Sequence, residues 1–220
     1  MKSRKISGKT FFYIISGFAL VILLLSYKTI LIAAGNFLAP KGAGNADVVI
    51  VENSELIREK GIEIGLDLLS SGRTNHLVIV YQQSENERIF DRPLNYNLLL
   101  TQKLENLGLK KEQIQVIEVP TEHPITLTEA RTVLSNLSMS GVKSAILVAE
   151  GFHTRRSYWA YKQVGLSLGI KIIPCPYFIK YQHENWWTKV KGVHEFAFEL
   201  LKFIYYILRG YVPVKSLVVI

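Results

Sequence analysis

Cysteine is almost absent from this chain of 220 residues, and so are the glycine signatures of several common catalytic folds. Cys175 is the only cysteine, so no internal disulfide can form, and its apolar neighbours favour a packing role over a nucleophilic one. The chain has no Gly-x-Ser-x-Gly elbow, and no Gly-x-Gly-x-x-Gly follows the first predicted strand. Internal repeats and low-complexity segments are missing as well. These absences argue against the serine-hydrolase elbow and the dinucleotide-binding fingerprint.

Acidic residues are missing from the first 40 positions, which hold five of the 26 lysines and arginines. The rest of the chain therefore carries 21 basic and 18 acidic residues, a net charge of +3 out of the total of +8. A nucleic-acid-binding surface usually needs a concentrated basic face. We therefore expect no nucleic-acid partner and interpret the N-terminal basic residues as a topology signal.

A long apolar run follows these basic residues. Segment 1–10 contains Lys2, Arg4, Lys5 and Lys9. Segment 11–34 is long and apolar enough to cross a bilayer as one helix. The positive-inside rule keeps segment 1–10 in the cytoplasm and places everything after residue 35 outside it. The sequence thus predicts a single-pass anchor. A cleaved signal peptide is the alternative, because Ala33-Ala34-Gly35 offers small residues for cleavage.

Strand-like and helix-like patterns alternate after a Pro-, Gly- and Ala-rich tether at 35–45. Domain 46–211 precedes a short apolar tail, 212–220. The predicted strands are Val48–Val51, Leu77–Val80, Gln115–Val119, Ser144–Ala149 and Ile170–Pro174. The predicted helices are Glu55–Leu69, a stretch from near Pro93 to Leu107, Thr126–Ser140, one that begins at His153 and runs through Val164, and Val193–Leu208. The alternation predicts an α/β fold, a Rossmann-like three-layer sandwich with a mostly parallel sheet of about five strands, preceded by one transmembrane helix.

The most informative segment runs from the fourth predicted strand into the helix that follows it. Gly151 permits a tight turn, and the helix then begins with His153 and two arginines in its first turn. A helix N-terminus disfavours cations and suits an anion, and parallel sheets bind ligands just beyond the carboxyl ends of their strands. These residues therefore predict an anion site. The alternative is that both arginines are solvated and that His153 caps or packs.

Two other motifs bear on this edge of the sheet. Thr126 and Glu129 fit a capping box, in which each side chain reaches the other's backbone N–H, and Thr126 begins a helix at the same predicted edge as His153. The pairs His183-Glu184 and His194-Glu195 do not place two histidines on one helix face as H-E-x-x-H would. We predict no metal site and assign no cofactor.

These residues together resemble a known family. Phe152-His153-Thr154-Arg155-Arg156-Ser157 is similar to the Phe-His-Met-x-Arg-Ala that follows the fourth strand in the bacterial envelope family typified by SanA, ElyC and YdcF. The resemblance covers about residues 46 to 210. Supporting matches are Ala46 to Val51, Leu68 to Gly72, Thr126 with Ala130, and Leu200 to Tyr206 with Arg209-Gly210. The resemblance implies a domain on the periplasmic or extracellular side of the bacterial inner (plasma) membrane, with a role in cell-envelope, peptidoglycan or polysaccharide biogenesis.

The chain also departs from the family pattern at four places. Glu52-Asn53-Ser54-Glu55 replaces glycines after the first strand, and Tyr81-Gln82-Gln83 replaces Ser-Gly-Gly after the second. Gly61 stands where the family has an arginine, and Ile125 where it has an asparagine. Two loops that would let a ligand approach the backbone closely are therefore filled with side chains.

Two functions follow from these expectations. In the first, the domain binds or acts on an anionic, phosphorylated or nucleotide-like ligand or envelope precursor. His153 would be the catalytic acid or base, and the ligand-binding residues would be Arg156, Thr126, Arg155 and Gly151. In the second, the pocket is vestigial and the protein is a non-catalytic, membrane-tethered interaction module. The retained Phe-His-x-x-Arg favours the first and the lost glycines favour the second.

Overall fold

A computed structural model describes residues 8–52, 59–82, 88–89, 92–93 and 96–218. The helices are α1 (Gly8–Leu38), α2 (Glu59–Ser70), α3 (Tyr96–Asn106), α4 (Ile125–Met139), α5 (Thr154–Leu168) and α6 (Val190–Leu208). The strands are β1 (Val48–Val51), β2 (His76–Gln82), β3 (Arg88–Ile89), β4 (Arg92–Pro93), β5 (Ile114–Val119), β6 (Ser144–Glu150) and β7 (Lys171–Tyr177). The basic residues Lys2, Arg4 and Lys5 and the expected helix start at Glu55 lie outside the described residues.

Five strands form one sheet in the order β5-β2-β1-β6-β7, and every neighbouring pair is parallel. Ile50 in the central strand pairs with Val78 on one side and with Leu147 on the other. The order reverses between β1 and β6, which makes this pair the topological switch point of the sheet. The predicted α/β fold with a five-stranded, Rossmann-like parallel sheet is confirmed.

The sheet is buried on both faces because successive side chains of each strand point to opposite sides. Val48 and Ile50 pack on one face with α4, α5 and α6, whereas Val49 and Val51 pack on the other with α2 and α3. The residues of β1 are at most 3% exposed. A strand buried on both faces has an uninterrupted apolar sequence, which explains why Val48–Val51 could be predicted to the residue.

Asp47 fixes the beginning of β1 against the beginning of β6. Its carboxylate accepts hydrogen bonds from the backbone N–H groups of Lys143 and Ser144, each at 2.8 Å, and from the Ser144 hydroxyl at 3.1 Å. The Lys143 N–H contributes most to holding the pKa of Asp47 below its ordinary value. The register of these two strands decides where their carboxyl ends, and the residues that follow them, come together.

Most boundaries differ from the sequence predictions by a few residues, and three differences change the interpretation of a segment. Pro93 belongs to the short β3–β4 pair, and the helix begins only at Tyr96. The expected tether at 35–45 is partly helical and packed, since α1 continues to Leu38, whose side chain is fully buried. In the tail, the Val212 side chain belongs to the core between the sheet and α4–α6. The folded domain therefore extends beyond 46–211 at both ends.

Helix α1 covers the predicted anchor, 11–34. Within the part of the chain that the structure describes, no helix is both long and apolar enough to cross a membrane.

Gly165 allows α5 to pack closely against the chain that enters β7, and a Cβ there would lie 2.5 Å from the Ile170 carbonyl oxygen. We expect Gly165→Ala to lower the free energy of unfolding by about 1–3 kcal/mol, because a backbone atom must move to make room. Leu166→Ala on the same helix is the control, since Leu166 is 68% exposed and its truncation should cost less than about 1 kcal/mol. Urea denaturation followed by circular dichroism measures both. Equal stability of the two variants would contradict this packing.

Candidate functional site

A cavity of about 510 Å³ lies at the carboxyl edge of the sheet, beside the switch point. The side of the cavity next to the sheet is lined by Gln82 and Glu150, the last residues of β2 and β6. The other charged and polar side chains of the lining come from the segment before α4, from α4, from the α5 turn and from α6: His123, Thr126, Glu129, His153, Arg156, Glu195, Glu199 and Lys202, with the tyrosines Tyr205 and Tyr206. Ligands bind at this place in open parallel sheets, which makes the cavity the candidate site.

A tight turn after β6 delivers two of these side chains. Gly151 has a φ of +56°, a left-handed conformation that favours glycine, and it opens a single 3-10 turn that ends at His153. Phe152, only 1% exposed, fixes that turn by packing its ring against four aromatic side chains: Phe178, Tyr181, Trp186 and Phe196. Arg156 follows His153 by three residues, so the two side chains share one helix face.

Arg156 connects the three helices around the cavity. Its Nη1 donates to the Thr126 hydroxyl of α4 at 2.5 Å. Its Nε and Nη2 donate to the two carboxylate oxygens of Glu199 on α6, at 3.0 and 3.2 Å. The guanidinium also lies 5.1 Å from the centre of the Tyr206 ring. This paired geometry is the strongest form of an arginine–carboxylate contact, and it is largely buried.

The hydrogen bond from Arg156 determines the protonation of His153. Arg156 Nη2 lies 2.8 Å from His153 Nδ1, and because a guanidinium can only donate, Nδ1 must accept. The imidazole is therefore neutral and carries its proton on Nε2, which lies 3.7 Å from Oε2 of Glu52. Burial, followed by the charge of Arg156, lowers the pKa of His153, in agreement with this neutral form.

Glu199 is the ionised partner in this group. Burial alone would raise its pKa, but the charge of Arg156 and the hydrogen bond from Lys202 act in the opposite direction, and its pKa lies well below the ordinary value. Its Oε2 lies 3.5 Å from His153 Nδ1, and its Oε1 accepts from Lys202 at 2.9 Å. The positive charge of Arg156 is thus already balanced inside the protein.

Glu52 and Glu129 form a second, adjacent pair of carboxyl groups. Glu52, directly after β1, accepts a hydrogen bond from the Ser157 hydroxyl, and Glu129 on α4 accepts one from the Tyr161 hydroxyl at 2.9 Å. Burial, and then the charge of Glu129, raises the pKa of Glu52 well above its ordinary value. Burial also raises the pKa of Glu129. Two buried carboxyls side by side cannot both ionise easily, so they keep a proton that could be given to a ligand.

Three of the five residues proposed from sequence lie together in this cavity. Thr126, His153 and Arg156 all line it, and Arg156 hydrogen-bonds to both of the others. Their convergence is a matter of geometry, and their roles toward a ligand stay predictions.

Arg155 lies elsewhere, so the ligand-binding role expected for it needs correction. Its side chain is 1% exposed, and its guanidinium donates to the backbone carbonyls of Phe37, at 2.8 Å, and of Ser216. It also stacks on the Phe37 ring, 3.8 Å from the ring centre. Neighbouring residues of a helix point about 100° apart, and here Arg156 faces the cavity while Arg155 faces Phe37 and Ser216. Arg155 joins α1 to the C-terminal segment instead.

Gly151 also lies outside the cavity lining. A Cβ at this position would meet the Tyr181 hydroxyl at 3.4 Å and the Phe178 ring at 3.7 Å. Gly151 contributes the tight turn that places His153. Aromatic side chains occupy the space next to Gly151. The structure therefore assigns it a conformational role in place of the expected ligand contact.

The expected capping box at Thr126 is not formed. Helix α4 begins one residue earlier, with Pro124 at the N-cap, so Thr126 lies inside the first turn. Its hydroxyl bonds to Arg156, and the Glu129 carboxyl bonds to Tyr161. The two side chains that matched a local motif are both used for contacts between helices.

Sequence reasoning missed most of the acidic half of the site. Glu52 carries a signal, because an acid directly after a buried strand points to the carboxyl edge of the sheet, although the family pattern marks it only as a replaced glycine. No sequence signal points to Glu199, since it lies in a helix rich in apolar residues. Among the described residues, no group of three or more His, Cys, Asp or Glu side chains is placed to hold a metal ion.

Comparison with known proteins gives no match for this chain, either among family models or among curated proteins. The resemblance to the SanA, ElyC and YdcF family therefore stays a prediction that rests on the residues quoted above.

The raised pKa of Glu52 predicts a pH-dependent stability. Above the ordinary glutamate pKa the unfolded chain loses a proton that folded Glu52 retains, so its contribution makes stability fall as pH rises toward the folded pKa. Glutamine at this position cannot titrate. We therefore expect the melting temperature of Glu52→Gln to rise relative to that of the wild type as the pH increases from about 5 to about 8. Glu105→Gln, at an exposed position of α3, is the control and should show no such trend. If the difference in melting temperature between Glu52→Gln and the wild type does not change with pH, Glu52 is ionised in the folded protein over this whole pH range.

Proposed function

We propose that this chain is a single-pass protein of the bacterial inner membrane, with its α/β domain outside the cytoplasm, and that its cavity binds or acts on an anionic, phosphorylated or nucleotide-like envelope metabolite. The observation that carries the proposal is the meeting of His153, Arg156 and the Glu52–Glu129 pair at the switch point of a parallel sheet. The resemblance adds the expected role in cell-envelope or polysaccharide biogenesis.

The exposed surface of α1 supports the anchor. Phe11, Phe12, Tyr13, Ile14 and Ile15 are consecutive, point in all directions around the helix, and are each more than half exposed. Such a surface would be unfavourable in water and is typical of a helix surrounded by lipid.

The contacts of the last turns of α1 favour a retained anchor over a cleaved signal peptide. The Leu31 carbonyl accepts a hydrogen bond from the Trp186 indole at 3.0 Å, and Gly35 packs on Trp186 and on the His183 carbonyl. Cleavage in the Ala33-Ala34-Gly35 segment would remove Leu31 and leave the buried indole N–H without this acceptor.

The neighbouring acids and the neutral histidine support proton-transfer chemistry. His153 is uncharged and has its Nε2–H directed toward Glu52, whose raised pKa favours the protonated carboxyl. A protonated carboxyl can supply a proton to a leaving group, and the imidazole can take one from a ligand hydroxyl or water at Nδ1 once the ligand has drawn Arg156 away from that nitrogen. We assign His153 the acid–base role and the Glu52–Glu129 pair the role of proton store.

Glu199 defines how an anionic ligand would enter. Its carboxylate occupies the fork of Arg156, in the place that a phosphate or carboxylate of the ligand would take. Lys202, 54% exposed and also bonded to Glu199, stands at the same cavity. We infer that the ligand displaces Glu199 from Arg156 and that Glu199 competes with anions when the cavity is empty.

The same contact supports the alternative of a non-catalytic interaction module. Arg156 makes four hydrogen bonds to Thr126, His153 and Glu199, so its binding capacity is nearly filled by the protein itself. In that case Arg156 and its three partners would form a structural brace. The side chains that replace the family's glycine loops would then mark a vestigial pocket.

The anchor predicts a definite topology. A reporter that is active only in the cytoplasm, fused after Ile220, should stay silent, and one active only outside should give signal, because the domain follows a helix with a basic cytoplasmic end. Replacing Lys2, Arg4, Lys5 and Lys9 by glutamine in the same fusion is the control and should weaken the orientation. A strong cytoplasmic signal from the unmodified chain would contradict the proposal.

The competition by Glu199 predicts opposite effects of two substitutions on anion binding. With the full chain in detergent and a nucleoside diphosphate sugar as the probe, Glu199→Gln should tighten binding because it removes the competing charge. His153→Asn should weaken binding by about two- to tenfold because it removes one hydrogen bond. Arg156 is unsuitable for this test, since its loss would also release Thr126 and His153 from their hydrogen bonds and so change the cavity itself.

Calorimetric titration measures these affinities, and Glu184→Gln, outside the cavity lining, should leave them unchanged. Absence of probe binding by the wild type and by Glu199→Gln alike would favour the interaction module.

A further inference from the structure

The chain that joins α1 to β1 shows on which side of the domain α1 leaves. The Leu31 carbonyl bonds to Trp186, in the segment that follows the carboxyl end of β7. Farther on, the Gly42 N–H donates to the Pro174 carbonyl within β7, at 2.8 Å. The Ala46 N–H then donates to the Arg73 carbonyl just before β2, at 3.0 Å. This path runs from the carboxyl edge of the sheet to its amino edge, so the earlier turns of α1 extend beyond the carboxyl edge.

The surface around the point where α1 leaves combines basic and exposed apolar side chains. We call it the collar, and it consists of Lys28 on α1 together with Ile179, Lys180, Lys189, Val190 and Lys191. Val190 is 90% exposed and Ile179 is 45% exposed. Lys191 lies 3.2 Å from the Glu195 carboxylate, and Glu184 lies 3.1 Å from the His183 ring. Lys28, Lys180 and Lys189, together with the exposed apolar residues between them, form a surface that suits anionic lipid headgroups, and Lys191 adds to it when its pair with Glu195 opens.

We propose that the collar contacts the anionic surface of the bilayer that holds α1, and that the cavity faces this bilayer. The proposal rests on the proposed membrane anchor. The collar and the cavity share the carboxyl edge of the sheet, since Glu150 ends β6 beside the cavity and Ile179 follows the end of β7. A ligand attached to the membrane surface would therefore reach the cavity directly, whereas the amino edge of the sheet is turned away from the lipid.

The test uses the full chain in vesicles and an environment-sensitive fluorophore on a single cysteine. Cys175→Ser removes the native thiol, and Val190→Cys places the label in the collar. Leu166→Cys, 68% exposed near the end of α5, places the matched control label at the amino edge. In phosphatidylcholine vesicles that contain phosphatidylglycerol, a headgroup-region quencher should quench the Val190→Cys label several-fold more than the Leu166→Cys label.

A charge variant tests the lysines. Lys180→Gln, Lys189→Gln and Lys191→Gln combined should reduce quenching of the Val190→Cys label severalfold in vesicles with phosphatidylglycerol. Flotation of the same samples reports separately on insertion of α1. A chain that floats with the vesicles while its Val190→Cys label is quenched no more than the Leu166→Cys label would overturn the collar and leave the anchor standing. Quenching that is equal with and without phosphatidylglycerol would also overturn it. A chain that does not float would contradict the anchor itself.

Discussion

The paired contact between Arg156 and Glu199 holds the candidate site together. Arg156 is buried on α5, and it reaches Thr126 on α4 and Glu199 on α6 through hydrogen bonds of 2.5 to 3.2 Å. The same guanidinium keeps His153 neutral and in one tautomer. The shape of the cavity, the protonation of the imidazole and the spacing of three helices therefore depend on one side chain, and loss of its charge would leave Glu199 buried without its main partner.

Next to this balanced pair, the Glu52–Glu129 pair is costly for stability. Two carboxyls without a cation of their own are buried together, and Oε2 of Glu52 has no hydrogen-bond partner among the described residues. A core position serves stability better with an apolar residue, so buried and poorly satisfied acids usually mark a site kept for chemistry. The stability cost of burying these two acids favours a cavity that serves binding or chemistry over a purely structural role, because a structural brace needs only the Arg156–Glu199 contact.

Local patterns were enough to predict the sheet and half of the site. Continuous apolar runs such as Val48–Val51 located the strands, and Gly151 with His153 located the turn that faces the cavity. The rest depends on contacts between distant segments. Arg155 and Arg156 look equivalent in sequence, yet helical geometry sends one to the cavity and the other to Phe37 and Ser216. Thr126 and Glu129 matched a capping box, and only the packing of α5 against α4 shows their other partners.

The position of Arg155 also bears on the order in which the protein folds during synthesis. Its guanidinium binds the carbonyl of Phe37, near the beginning of the chain, and that of Ser216, four residues before the end. The buried cation can be satisfied only after Ser216 has left the ribosome, since the unmade partner leaves part of its hydrogen-bonding capacity unmet. The contact that ties α1 to the C-terminal segment therefore forms only after the rest of the domain has been made, and a chain that stops before Ser216 would lack it.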